Sequence, residues 1–301
     1  MNPQEPLPVS ETTSTLEPQK IGKFEASRML VKESFNVLKQ DKELIWFPVL
    51  SAIASLVILI VFAVRVFFSV MGGDVQMLNN YEQLDAVGYL VIFVYYLITF
   101  FITNYFLAGI YTIVHGRFGG NDLLFSDGIA NANKHIGRIF TWSLISATVG
   151  IVLRIISNKS KILGKIVAML FGAAWTILTY FSLPSLVIGE RSIEESFKES
   201  AAIIRKTWGE VIIVNFGIGL FFGLITFFVV FVMLGIAVLV PSIKMFVFLG
   251  VLFVVYVIVL SVIYSTLGSI IKCALYEYAT TGNIPQGFTP ELIKGAVKAG
   301  K

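Results

Sequence analysis

A single cysteine, Cys273, in a chain of 301 residues rules out an internal disulfide and any zinc cluster built on cysteine. Histidine is almost as scarce: His115 and His135 stand twenty residues apart and read as interfacial side chains rather than metal ligands. Charge is thin as well. Asp, Glu, Lys and Arg make up 14% of the chain against 56% hydrophobic residues, far from the composition of a soluble domain. No HExxH, GxSxG or P-loop sequence occurs. The Gly119-Gly120 pair follows no strand pattern and precedes no Gly-Lys-Ser/Thr, so it reads as a turn. No basic start with an apolar stretch opens the chain, so no cleaved secretory signal is expected. The net charge of +4 is spread over flanks without a basic stripe interleaved with aromatics, which suits anionic lipid headgroups and not nucleic acid. These absences leave no catalytic, cofactor-binding or metal-binding residue to name, and no cofactor.

What the sequence has instead is apolar length. Its mean hydropathy is +0.83, and six runs are long enough to cross the roughly 30 Å hydrocarbon core of a bilayer. They fall at about 45–65, 87–114, 139–156, 166–188, 211–239 and 246–271, predicting an all-α polytopic membrane protein. Pro48 lies in the first turn of the first run, where a missing N–H has no intrahelical partner to lose. Arg65 ends that run and reads as a snorkelling anchor. Ser143, Ser146, Ala147 and Gly150 give the third run the small side chains that let helices approach closely. Pro184 is expected to kink or terminate the fourth, and a helical continuation carries the sixth through Tyr278 towards Gly282.

A repeat organises the chain. Phe35 precedes Trp46 by eleven residues, Ile129 precedes Phe140 by the same interval, and so does Phe197 Trp208. Each pair belongs to a charged, helix-periodic segment (Gly22 to Leu44, Asp127 to Arg138, Ile193 to Lys206) that leads into a membrane-length run. The unit is an in-plane amphipathic helix followed by a transmembrane hairpin, present three times. In the third copy Ile193, Phe197, Ala201 and Ile204 form the apolar face, with Glu195, Lys198, Glu199, Arg205 and Lys206 on the solvated one. Trp46, Phe197 and Trp208 are the expected interfacial anchors. Residues 21–288 then make one six-helix domain. Residues 1–20, with four of the nine prolines, are expected to be disordered, and 289–301 to form an amphipathic tail.

Orientation follows from the basic residues. With the N-terminus inside, only Arg65, Arg154, Lys159, Lys161, Lys165 and Lys244 of the 23 Lys and Arg fall outside, which puts both termini in the cytoplasm. The basic connection from Arg154 to Lys165 runs against this bias at one place.

Several stretches carry a resemblance: Phe24-Glu25-Ala26-Ser27 to Asp41-Lys42-Glu43-Leu44-Ile45-Trp46-Phe47-Pro48, Trp142 to Gly150, and Gly172-Ala173-Ala174-Trp175 to Pro184. Two more are the Lys206-Thr207-Trp208-Gly209-Glu210 turn and the Ala274 to Ala279 ending. Together, over about Phe24 to Phe288, they resemble a family of prokaryotic six-span membrane proteins of unknown function. More distantly, the three-hairpin layout is similar to the membrane domain fused to some glycerophosphodiester phosphodiesterases, whose soluble catalytic part has no counterpart here. The resemblance implies the six-span fold and no catalytic residues.

Asn104 and Asn215 are the deepest strongly polar side chains, read as helix-to-helix hydrogen bonds or as the lining of a path. Glu277 is expected to partner a Lys or Arg. With no charge near the midpoint of any span, the expectation is a non-enzymatic scaffold or accessory subunit that binds membrane lipids or other membrane proteins. The alternative is a carrier or channel for a small or amphiphilic molecule, which would need a cavity bordered by Asn104, Asn215 and the small residues of the third and fourth spans.

Overall fold

A computed structural model describes residues 23–71, 86–159, 162–240, 242–290 and 293. The tail 1–20, the loop 72–85 and most of the 289–301 tail lie outside the described residues. Those described are helical without a strand. An N-terminal helix α1 (Lys23–Gln40) leads through a 3-10 turn (Lys42–Ile45) into α2 (Trp46–Met71). Then come α3 (Ala86–Phe118), the short α4 (Phe125–Lys134), α5 (Ile136–Lys159), α6 (Leu163–Leu178) and the six-residue α7 (Ser182–Val187). Two long helices finish the chain, α8 (Ile193–Leu239) and α9 (Ile243–Thr281). Six stretches are long and apolar enough to cross a membrane, in the order the sequence predicts.

Local chemistry explains the ends of these elements. At the end of α3, Gly120 takes a left-handed φ of 81°, the Asn121 amide donates to the Gly116 carbonyl at 2.9 Å, and the Gly120 amide to Arg117 at 3.0 Å. This is the glycine-terminated Schellman turn, so Gly119-Gly120 closes a helix. Gly282 ends α9 with the simpler left-handed cap, its φ 74° and its amide on the Tyr278 carbonyl at 2.9 Å. Ser192 caps α8 reciprocally with Glu195, whose carboxylate takes the Ser192 amide at 2.9 Å.

The fourth span is broken, and earlier than Pro184 itself. α6 stops at Leu178 and α7 starts at Ser182, so Pro184 falls within the first turn of a new helix. Proline at 184 has no N–H for the Tyr180 carbonyl and its ring crowds that residue, which forces the interruption one turn upstream.

The third repeat departs from the first two. Asp41 separates α1 from α2 and His135 separates α4 from α5, but Ile193 to Leu239 is one continuous helix of 47 residues. At 1.5 Å per residue it runs about 70 Å, more than twice a hydrocarbon core. The Lys206–Glu210 stretch that reads as a turn is therefore helix. Neither proline nor a cap interrupts it, and one glycine in a helix interior costs only about 1 kcal/mol.

Burial is concentrated at one end. The core draws on the 3-10 turn (Leu44), the start of α2 (Phe47), the end of α3 (Ile110 to Phe118), the start of α5 (Ile139, Trp142), α7, the first third of α8 (Ile203, Ile204) and the end of α9 (Ile270 to Tyr276). Leu30 and Val37 of α1 and Ala132 of α4 complete it. Antiparallel hairpins bring these ends together, and α1 packs across α8 and α9. Phe47 is fully buried between Gly109 of α3 and Gly128 of α4, 4.5 Å from the Phe125 ring. A side chain on either glycine would meet that ring, so close approach requires glycine there. Beyond this platform the helices expose apolar side chains, Ile53 to Val64 on α2 and Phe227 to Leu239 on α8 among them. Apolar burial stabilises by about 1.5–3 kcal/mol per large side chain only where the alternative is water. In hydrocarbon that drive vanishes, which explains a packed end and unpacked arms.

Candidate functional site

The platform carries the protein's polar chemistry. Arg117 at the end of α3 donates to the Asp41 carboxylate and to Asp122 Oδ1 at 2.6 Å, tying the α1–α2 junction to the α3–α4 loop. Glu43 of the 3-10 turn accepts from the Phe125 amide at 2.6 Å, at the start of α4. His115 Nδ1 lies 2.9 Å from Glu277 Oε2 on α9. Glu277 thus partners a histidine, where the sequence suggested Lys or Arg.

A second cluster surrounds the turn between α7 and α8. Glu190 holds a left-handed φ of 51°, unusual for a side-chain-bearing residue. Arg138 Nη1 donates to its carbonyl at 3.0 Å and Lys134 Nζ to its carboxylate at 2.6 Å, fixing the turn from α4 and α5. Those contacts hold the Glu190 carboxyl below the ordinary range, Lys134 most strongly. Between the two cations His135 is buried, and its Nε2 has no hydrogen-bond partner among the described residues. Burial first, then Arg138 and Lys134, keeps its imidazole below the usual histidine range. A polar cleft of about 350 Å³ opens beside this turn, lined by Thr112, His115, Asn121, Asn131, Ile188 and Glu190.

Glu199 overturns its sequence assignment to the solvated face. Its carboxylate accepts from the Ser185 hydroxyl of α7 and from Tyr276 Oη of α9 at 3.0 Å, with Arg191 Nε 3.8 Å away. The face of α8 turned inward holds Ser196, Ser200, Ile203 and Ile204, so the buried stripe is rotated towards the serines. Ser200 accepts from the Phe181 amide at 2.9 Å and donates to the Leu178 carbonyl at 2.7 Å, satisfying both sides of the break in the fourth span. The Ser196 and Ser200 pair, four apart beside Ile203 and Ile204, was the readable signal for this contact.

Among the residues singled out by sequence, Asn104 Nδ2 donates to Ser143 Oγ at 3.0 Å, joining α3 to α5. Phe197 is half-buried, its ring 6.1 Å from Trp175, which stacks in turn on Trp142 at 6.0 Å. It packs within the protein through this aromatic stack. Trp46 is 58% exposed at the start of α2. The backbones of Trp208 and Asn215 lie in α8, and their side chains are outside the described ones. The structure brings none of Asn104, Trp46 and Phe197 together at one site.

One apolar groove of about 300 Å³ lies between α2, α3 and α9, and Pro48, Ser51, Thr103, Leu107, Ser261 and Ser265 are among its lining residues. It borders the first, second and sixth spans, not the third and fourth, and Asn104 does not line it. Among the described residues no three of His, Cys, Asp and Glu stand together as metal ligands.

The sequence matches the family of unknown function DUF6159 over residues 86–287, well over half of the chain, and the protein belongs to that family. No protein of curated function matches it.

Proposed function

We propose that this DUF6159 member is a non-enzymatic membrane scaffold or accessory subunit whose spans bind lipid or other membrane proteins, with both chain ends in the cytoplasm. The observation that carries the reading is the contrast between a packed platform and unpacked arms. Leu30, Phe47, Phe181 and Ile270 are fully buried at one end, while Phe227 and Phe231 of α8 and Phe246 of α9 are about two-thirds exposed along the membrane-length segments. An added Cβ at Gly219 or Gly223 of α8 would meet nothing within 4 Å, so that close-approach face is free. The arms therefore offer surface to lipid or to foreign helices.

Arg117, Glu43, Glu199 and Ser200 of the platform are engaged in holding elements together, and the groove between α2, α3 and α9 has no charged lining residue. A coupled carrier would call for such a charge at its path. The likeness in layout to the phosphodiesterase-linked membrane domain supplies no activity. In liposomes the purified protein should neither turn over phospholipid or glycerophosphodiester nor dissipate a solute gradient, while a benzophenone side chain at Phe231 should capture lipid or a discrete membrane protein. Turnover abolished by His115→Ala or Glu277→Ala, or solute flux above protein-free liposomes, would overturn the proposal.

A further inference from the structure

We infer that the outward face of α1 rests on the anionic lipid headgroups of the inner leaflet through Arg28, Lys32 and Lys39, with Phe35 among them. The choice of leaflet rests on the cytoplasmic N-terminus proposed above, and the contact itself does not.

The structure settles which face of α1 is free. Leu30, Ser34, Val37 and Leu38 are buried, at 4% exposure or less, where α1 packs across α8 and α9. The apolar side is thereby used inside the protein, so α1 cannot insert that side into a bilayer as an isolated amphipathic helix does. At 100° per residue Arg28, Lys32, Phe35 and Lys39 fall within about 60° of one another, on the side opposite Leu30 and Val37. All four are exposed, Phe35 at 40%.

Charge and position select what meets this face. Elsewhere on the platform Arg117, Lys134, Arg191 and Lys198 each lie against a carboxylate. Arg28, Lys32 and Lys39 make no ion pair among the described residues, and Lys39 Nζ lies 5.1 Å over the Phe35 ring. Nearby acids do not offset the three cations. Glu33 stands at least about 100° around the helix from each of them and accepts from the Thr289 amide. Asp41 is held by Arg117, and the flanking pairs Lys23 with Glu25 and Lys42 with Glu43 each sum to zero. Three cations around an exposed aromatic fit a surface of phosphates with an apolar layer beneath. An acidic protein could meet the same charges, but the place of α1 favours lipid. Trp46, 58% exposed at the start of the first membrane-length run, follows Gln40 by six positions, and both helices that α1 packs on contain a candidate span.

Photocapture in the full chain tests this, with a benzophenone side chain in place of Phe35 and reconstitution into vesicles of equal phosphatidylglycerol and phosphatidylcholine. The expected adduct is phosphatidylglycerol in clear excess. Each of Arg28→Gln, Lys32→Gln and Lys39→Gln should lower the ratio of captured phosphatidylglycerol to phosphatidylcholine, by up to about fivefold per charge, and the triple variant should bring the two lipids to equality. The three cations are exposed, so these changes leave the packed face of α1 intact, which an unchanged melting transition verifies. Equal capture of the two lipids before any charge is removed would overturn the inference, as would an excess that survives the triple change. Absence of any lipid adduct would also overturn it and leave the face to an acidic protein, and capture of a second copy of the chain would overturn it in favour of self-association. Capture at Phe231 reads the scaffold proposal separately, because that residue belongs to the exposed arm of α8 and not to α1.

Discussion

The Ser200 hydroxyl accepts from the Phe181 amide at 2.9 Å and donates to the Leu178 carbonyl at 2.7 Å. Through these two bonds a side chain of α8 closes the gap that Pro184 opens in the fourth span. Ser200→Ala leaves a buried donor and acceptor unpaired and should destabilise the protein by about 1–3 kcal/mol. Ser196, one turn earlier and equally buried, has a hydroxyl with no hydrogen-bond partner among the described residues. Ser196→Ala should be neutral or stabilising. Thermal unfolding in detergent separates the two, and equal effects would show that the break is not held by Ser200.

Glu199 gives the second prediction. Read from the sequence, Phe197→Glu should be far more damaging than Glu199→Lys, which would change only a solvated face. In the structure Glu199 joins α7, α8 and α9 through Ser185, Tyr276 and Arg191. Glu199→Lys removes the acceptor and sets a cation beside Arg191, a loss of about 2 kcal/mol, so both variants should lower the unfolding temperature. Full stability in Glu199→Lys would return this residue to the surface.

The His135 environment implies a pH dependence. Its folded-state imidazole resists protonation, so as pH falls below about 6.5 the unfolded chain takes up the proton first and stability declines. The groups facing it are Lys134, Arg138 and Glu190. His135→Phe removes the titrating group and should flatten the stability curve between about pH 7 and pH 5. A slope unchanged from wild type would place the acid sensitivity elsewhere.

The six spans, the Gly119-Gly120 turn and the run of α9 past Lys272 were legible because each depends on a short window: apolar length, a glycine forced to positive φ, a period of 3.6. Asp41 with Arg117, Glu43 with the Phe125 amide and His115 with Glu277 were not. They join residues 76, 82 and 162 positions apart, and no local pattern specifies which end meets which. The continuity of α8 was hidden for another reason. The charged Ile193 to Lys206 segment satisfies the amphipathic pattern whether or not it bends away from the span, so composition alone cannot place a break there. Phe197 shows the same ambiguity, since an aromatic at a helix boundary suits both a lipid interface and the stack it forms with Trp175.

In the proposed topology the platform gathers both described chain ends on the cytoplasmic side. Glu33 of α1 accepts from the Thr289 amide at 3.2 Å, so the two ends share one side of the bundle. Native Cys273 is buried and gives little background to a thiol reagent. The measurement is labelling of intact cells by a membrane-impermeant maleimide, with single added cysteines at exposed positions: Asn121 and Gly282 on the platform, Ile162 and Ser242 at the far ends of the second and third hairpins. Labelling is expected at Ile162 and Ser242 alone, with Asn121 and Gly282 reacting only after permeabilisation. Labelling of Asn121 and Gly282 in intact cells would invert the protein, and labelling of one platform position with one far-end position would break the three-hairpin architecture itself.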